Sequence, residues 1–291
     1  ISDMSKAGIS IDRILYIMNS ETETIEPNEY EAPLTGDIVF ENVSFTYPDS
    51  PQGEDGLSAG ISSEVLSGVS LTIKAGETVG ILGGTGSGKS TLVYLLDRFY
   101  DLSENEGRIT IGGEDIKNIK KRYLRSHIGL VLQEPYLFSG TLAENIAITT
   151  EETDIEKVRS AARIAALDET VSRFAKGYET CVGERGVTLS GGQKQRAAIA
   201  QMLISQPDIM IFDDSLSAVD AQTDVRIRSK LEKEEQGVTT ILIAHRISTL
   251  MAADRIYVLE NGRVTQSGTH EELLAKEGLY ARTYRLQTLN R

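Results

Sequence analysis

The sequence predicts an α/β fold carrying a helical insert, on three observations. Short strand-like runs alternate with helix-patterned stretches through most of the chain. The run "GILGGTGSGKST" stands between a strand pattern and a helix pattern. The segment from about 135 to 206 then reads almost wholly as helix before strand signals return.

Taken in order, "ISIDRILYIM" at 9–18 places apolar side chains at helical spacing, and the polar "NSETETIEPNEYEAP" after it reads as a linker. From Gly36, "DIVFENVSFTY" alternates as a strand or two. "PDSPQGEDGLSAGISSE" is rich in Gly, Ser, Asp and Pro and reads as an exposed loop. "VLSGVSLTIKAGETVGILG" gives two strands about a Gly turn, and "STLVYLLDRFY" a helix. "GRITIGGEDI" reads as a hairpin and "HIGLVLQ" as a core strand. Thr141 with Glu144, and Thr153 with Glu156, carry the reciprocal capping spacing of a helix start. The strands "DIMIF", "TTILIAH" and "RIYVL" follow, with a helical "VRIRSKLEKEE" among them and a turn at Asn261-Gly262.

Composition narrows the class. Thirty Lys and Arg against 43 Asp and Glu give a net charge of −13, which argues against a general nucleic-acid binder. Local backbone N–H groups can still bind an anion whatever the net charge. Cys181 is the single cysteine, so no internal disulfide forms and a reducing compartment is expected; it reads as a small space-filling residue in preference to a reactive thiol. No run approaches the ~18 apolar residues of a membrane span, and no signal peptide is visible. A start at Ile1 rather than Met suggests a fragment of something longer.

The chemistry begins at Gly83-x-x-x-x-Gly88-Lys89-Ser90, in the strand–loop–helix context that a phosphate-binding P-loop requires. The loop Gly83, Gly84, Thr85, Gly86, Ser87 and Gly88 lets the backbone wrap closely around phosphates, and its N–H groups form an anion nest at a helix N-terminus. Lys89 should reach the β- and γ-phosphates, the Ser90 hydroxyl should hold Mg²⁺, and Thr91 follows in the same nucleotide set. A P-loop also needs a downstream acid at a strand end, and Asp213 after "IMIF" fits that role. Two adjacent carboxylates there, Asp213 and Asp214, resist desolvation and repel each other, so neither reads as a stabilising residue.

"LSGGQKQR" at 189–196 opens a second helix with Ser and two glycines. The ordered set of P-loop, "LSGGQ", apolar run plus Asp, and "IAHR" resembles the nucleotide-binding domain of an ABC transporter, from about Gly36 to the C-terminus. The resemblance implies a RecA-like P-loop core with an antiparallel β subdomain and an inserted helical subdomain at about 135–206, after a linker over 1–35. It implies ATP and Mg²⁺ as ligands, with two domains closing head to tail so that each ATP lies between one P-loop and the opposite Ser190, Gly191, Gly192 and Gln193. Tyr47 lies where an aromatic residue stacks on adenine, and Gln133 where a residue links Mg²⁺ and the attacking water to the helical part. Asp220 ends the loop that communicates across the dimer, and His245 matches the switch histidine at the γ-phosphate.

"GERG" at 183–186 and "SIDRI" near the N-terminus resemble exporters, which implies a half-transporter at the cytoplasmic face of a membrane, with a transmembrane domain preceding Ile1 and a second half as partner. Between Lys89 and Ser190 there is no room for the long coiled coil of non-transport relatives. Two departures stand out. Asp214 occupies the water-directing position that is usually Glu, and Ser215-Leu216-Ser217 replaces the usual Ala-Thr-Ser. An Asp is one methylene short, and a misplacement of about 1 Å can cost roughly a hundredfold in rate. With its donated signature intact, the chain therefore resembles the degenerate-site subunit of a heterodimeric exporter. Two alternatives stay open: a regulatory module that uses ATP only to dimerise, and a soluble ABC ATPase. The loop at 48–64, longer than is usual in the family, reads as a tolerated insertion.

Overall fold

Strands apolar on both faces form the centre of the molecule. A computed structural model describes residues 8, 10, 11, 14–19, 29–48, 64–183, 189–216, 219–234 and 237–289. Its main sheet has six strands in the order β12-β11-β3-β10-β9-β6. These are β3 (Thr78–Gly83), β6 (Ile128–Val131), β9 (Ile209–Asp213), β10 (Thr239–Ile243), β11 (Arg255–Glu260) and β12 (Arg263–Gly268). All neighbours run parallel except β12, which returns antiparallel at the edge. β9 is buried at every position, as a parallel strand covered on both faces must be.

Alternate residues of these strands feed two cores. Ile209, Ile211, Ile241 and Ile243 face one cluster, while Met210, Phe212, Leu242 and Ala244 face the other. The first is shared with an antiparallel sheet in the order β2-β1-β4-β5: β1 (Ile38–Phe45), β2 (Leu66–Ile73), β4 (Arg108–Ile111) and β5 (Glu114–Asp115). Helix α1 (Lys89–Leu96) contributes Leu92, Val93, Leu95 and Leu96 to this cluster, so the helix after the P-loop lies in the core joining the two sheets. Helix α2 (Lys121–His127), just ahead of β6, also gives its Leu124 to the first cluster. The second cluster gathers the helices that follow. Here α3 (Leu142–Ile146), α4 (Ile155–Ile164) and α5 (Asp168–Val171) lead to α6 (Gly191–Leu203), on which α3 and α4 pack. The C-terminal half adds α7 (Ala221–Glu234), α8 (Ile247–Leu250), α9 (His270–Leu274) and α10 (Leu279–Leu289).

The α/β class is borne out, and several local expectations with it. Thr141 and Glu144 make a complete capping box on α3. Asn261 and Gly262 both take positive φ, 49° and 73°, in the two-residue turn between β11 and β12. "GRITIGGEDI" is the β4–β5 hairpin. The cap expected at Thr153 falls one residue later: Asp154 is the N-cap of α4 and accepts from the N–H groups of Glu156 and Lys157. A carboxylate caps two N–H groups with its own charge at the positive helix end, and so displaces the neighbouring threonine. Cys181 is also corrected. It lies exposed on the two-residue strand β8 (Cys181–Val182), paired with β7 (Gly140–Thr141), and fills no core space.

At the N-terminus residues 14–18 are helical, and Ile14, Leu15, Tyr16, Ile17 and Met18 stand exposed. The chain joins the body at Glu29, whose carboxylate meets the Arg98 guanidinium at 2.8 Å with both side chains almost wholly buried. Tyr30 then bridges to Ile119 in parallel. Residues 49–63 of the inserted loop, Glu184 to Gly186 of "GERG", Asp12 and Arg13 of "SIDRI", and Ser217 and Ala218 lie outside the described residues. Among the described residues, no helix is long and apolar enough to cross a membrane.

Candidate functional site

Three neighbouring parallel strands deliver the site at their carboxyl ends, where open α/β sheets present ligand crevices. The register aligns Ile81 with Ile243 and Ile243 with Asp213. The residues that follow β3, β10 and β9 therefore leave the sheet along one edge: the P-loop from β3, His245 from β10, and the acid pair from β9.

The P-loop closes back on itself. Lys89 Nζ donates to the carbonyls of Gly83 at 2.9 Å and Gly84 at 2.8 Å. Gly86 and Gly88 take φ of 76° and 99°, which turns the loop into α1 without a Cβ in the way. Gly88 is the N-cap of α1 and offers no side chain to its first N–H groups, so these donors are left without a side-chain cap. The Ser87 hydroxyl is buried without a hydrogen-bond partner. Ser90 Oγ donates to Asp213 Oδ2 at 2.9 Å. The Tyr47 hydroxyl and Thr91 Oγ1 lie 2.9 Å apart, and the Tyr47 ring sits edge-on to Phe45 and to Tyr100, each at 5.0 Å.

Charge in this crevice is poorly solvated. Burial pulls the Lys89 ammonium below its usual pKa, against the opposing charges of Asp213 and Asp214. Burial likewise pushes the Asp213 carboxyl up; the Ser90 hydroxyl and Lys89 pull it down, and the Asp214 charge adds to the rise. Asp214 is half-buried and takes φ of 47°, a left-handed conformation sparsely used by residues other than glycine, while its N–H donates to the Ile243 carbonyl at 2.8 Å. His245 is exposed, and its imidazole lies close enough to act electrostatically on the Asp213 carboxyl.

These residues fit a nucleotide with Mg²⁺. Orphan N–H groups, a buried unpartnered hydroxyl and a lysine turned into the loop suit phosphate oxygens. A hydroxyl paired with one carboxylate is a donor set that leaves the remaining octahedral positions to phosphate and water, as Mg²⁺ prefers. Among the described residues, no group of three or more His, Cys, Asp and Glu side chains forms an all-protein metal cage.

The "LSGGQ" residues make a separate terminus. Ser190 caps α6 reciprocally with Gln193: Ser190 N–H donates to Gln193 Oε1 at 2.8 Å and Gln193 N–H to Ser190 Oγ at 3.3 Å. Gly191 and Gly192 form the first turn. Asp220 starts α7, accepting from Thr223 N–H at 2.9 Å, and that backbone bond holds its carboxyl below the ordinary value. Among the described residues, no hydrogen bond or ion pair joins Ser190–Gln193 or Asp220 to the P-loop. Gln133 is exposed beyond β6, and its carbonyl accepts from Gln195 Nε2 on α6. Gln195 is a residue that sequence reasoning missed. It is a buried polar side chain one turn into α6, on the face otherwise occupied by Ala and Ile, and that break in the pattern is its only signal.

Comparison with known proteins gives one consistent result. The model of the ABC transporter family matches residues 66–217. The chain is 41% identical over 289 residues to the putative multidrug export ATP-binding/permease protein YgaD of Bacillus subtilis, covering 99% of the chain and 48% of that protein. It is also 41% identical over 288 residues to the alpha-hemolysin translocation ATP-binding protein HlyB of Escherichia coli, covering 98% of the chain and 39% of that protein. A solved structure of a bacterial Atm1-family ABC exporter with ATP bound superposes with a TM-score of 0.84 at 38% identity, over 97% of the chain and 47% of the exporter chain. The chain thus spans about half the length of these relatives or less.

Proposed function

The chain belongs to the ABC transporter family, and from that premise we propose that it is the ATP-binding and ATP-hydrolysing motor of an exporter at the cytoplasmic face of a membrane. The observation that carries the reading is the closure of Ser90 on Asp213, which joins the P-loop to the strand-end acid in one donor set. Relatives named for multidrug export and for alpha-hemolysin translocation support the exporter half of it. A groove of about 390 Å³ between β6 and α6, lined by Leu132, Tyr136, Met202 and Arg125, offers a face for the transmembrane domain.

In this reading each residue has one task. Tyr47 stacks on adenine, and the P-loop N–H groups, Lys89 and Thr91 bind phosphate. Ser90 and Asp213 hold Mg²⁺, with Gln133 reaching it from the helical side. When bound, Mg²⁺ neutralises phosphate charge. Asp214 orients the attacking water and accepts its proton at a carboxylate oxygen, while His245 contacts the γ-phosphate. Ser190, Gly191, Gly192 and Gln193 complete the nucleotide site of a second domain, with Asp220 at that junction. Catalysis is positioning and charge stabilisation, so the short Asp214 carboxylate makes this chain's own site slow, and a different partner chain carries most turnover.

The test is ATP hydrolysis by the complete transporter. Removing the partner's acid is expected to abolish most turnover, and Asp214→Glu to raise the rate of this site by roughly ten- to a hundredfold. Turnover unchanged on removing the partner's acid would overturn the asymmetric assignment. ATP-dependent dimerisation without turnover in any variant would assign the chain to a regulatory class instead.

A further inference from the structure

The last helix carries a side chain that reaches the switch histidine's backbone. On α10, Tyr280, Tyr284 and Gln287 recur at i, i+4 and i+7 and so share one face. Tyr280 is fully buried; its hydroxyl lies 2.7 Å from His270 Nδ1, and its N–H donates to Gln266 Oε1 at 3.3 Å. Tyr284 sets its ring edge against His270 with centroids 5.6 Å apart. These contacts fix the first two turns of α10 to the body, and Gln287 follows on the third.

There the Gln287 amide makes two bonds of opposite sense. Nε2 donates to the His245 carbonyl at 2.7 Å, and Oε1 accepts from the Ile247 N–H at 2.9 Å. The partners are a carbonyl and an N–H, so they fix which end of the amide is which. Ile247 is the first residue of α8, and the N-cap Arg246 provides no side-chain cap of its own. Gln287 therefore supplies from a distant helix the acceptor that the start of α8 lacks, and with the same group restrains the carbonyl of His245.

We infer that Gln287 is a positioning residue for His245, holding the backbone of residues 245–247 so that the exposed imidazole is presented at the end of β10 beside Asp213. The inference rests on the proposed nucleotide site. It adds to that site the C-terminal helix, which no motif of the sequence touches. His245 is followed by one residue, Arg246, and a helix of only four, so its direction depends on what fixes that short segment. A hydrogen bond of this kind is worth a factor of roughly three to ten, and the bracket uses two.

The experiment measures ATP and ADP dissociation constants by fluorescence titration on the intact protein that carries this chain. The variants are His245→Ala, Gln287→Leu, Gln287→Glu and the double variant His245→Ala/Gln287→Leu. Exchange of the Ile247 amide hydrogen is followed in parallel, without nucleotide. His245→Ala is expected to lower the preference for ATP over ADP, and Gln287→Leu to lower it by roughly three- to tenfold. The double variant should lose no more than His245→Ala alone, because the two act through one group. Gln287→Glu keeps the acceptor and loses the donor, so it should fall between wild type and Gln287→Leu. It carries the test if the melting curve of Gln287→Leu shows that variant unfolded.

An ATP-over-ADP preference that His245→Ala removes and the Gln287 variants leave intact would overturn the inference, as would fully additive losses. A wild-type protein with no such preference would overturn the proposed nucleotide site and the inference together. Faster Ile247 exchange in Gln287→Leu would then show that the bracket itself exists, which separates the two failures.

Discussion

Ser90 Oγ donates to Asp213 Oδ2 at 2.9 Å across 123 residues of sequence. The strands that lead to the two residues, β3 and β9, are not neighbours, because β10 runs between them. The bond therefore closes over the end of the intervening strand, and two motifs distant in the chain become one donor set.

Removing either member should uncouple nucleotide binding from Mg²⁺. For Ser90→Ala and for Asp213→Asn, ATP affinity measured with and without Mg²⁺ is expected to agree within about twofold, whereas the unaltered chain gains tenfold or more from the ion. A variant that keeps the full Mg²⁺ gain would show that the pair does not hold the metal.

Adjacent glycines in the loop should fail in different ways. A Cβ on Gly83 would meet the Leu259 carbonyl at 2.5 Å and the Ser87 hydroxyl, so Gly83→Ala should lose on the order of 3 kcal/mol of stability. A Cβ on Gly84 meets nothing within 4 Å, so Gly84→Ala should melt like the parent. Its ATP affinity should still fall, because the added methyl stands where phosphate must approach the backbone. Melting curves alongside ATP titrations separate the two outcomes.

Asp97, at the end of α1, sets a pH dependence that runs against the usual one for carboxylates. Burial pushes its carboxyl up to about 6 despite the neighbouring Arg125, and its Oδ1 is buried without a partner. The folded chain thus holds this proton more tightly than the unfolded chain does. Its contribution is greatest below the unfolded value near 4 and is lost as pH rises to about 6. Asp97→Asn should match the parent near the lower limit and exceed it by on the order of 3 kcal/mol at neutral pH. Urea unfolding at a series of pH values reads this difference; parallel curves would contradict it.

The buried Arg98–Glu29 pair should matter more than any surface pair. Arg98 also bonds Asp101 at 2.8 Å and the Ile119 carbonyl at 2.6 Å, so Glu29→Ala leaves its charge only partly compensated. A loss of about 3 kcal/mol is expected, with a smaller loss for Glu29→Gln, which retains an acceptor. The exposed Arg108–Glu41 pair should contribute little by the same measurement, because solvent screens it.

Local signals in the sequence carried much of this architecture. The strand, glycine loop and helix around Lys89 are contiguous, so their arrangement is written in one stretch. The same holds for the Thr141 cap and the Asn261-Gly262 turn. Long-range partition is not local. β2 and β3 follow each other about a short Gly turn, yet they join different sheets, and alternating apolar residues report a buried face without naming its partner strand. Asp154 displaced Thr153 because neighbouring capping residues compete on energy, and spacing alone does not rank them. Gln195 and Gln287 left little trace, since a glutamine acquires a role only when folding brings a backbone group to it.

The central place of β10 also sets where the gene can change length. An extra residue ahead of Thr239 falls at Gly237, a left-handed turn position, and the chain can absorb it there without disturbing the ladder. An extra residue within Thr239–Ile243 turns every later side chain to the opposite face, and carries His245 away from the edge it shares with Asp213. Insertions separated by only a few codons should therefore divide sharply into silent and null alleles.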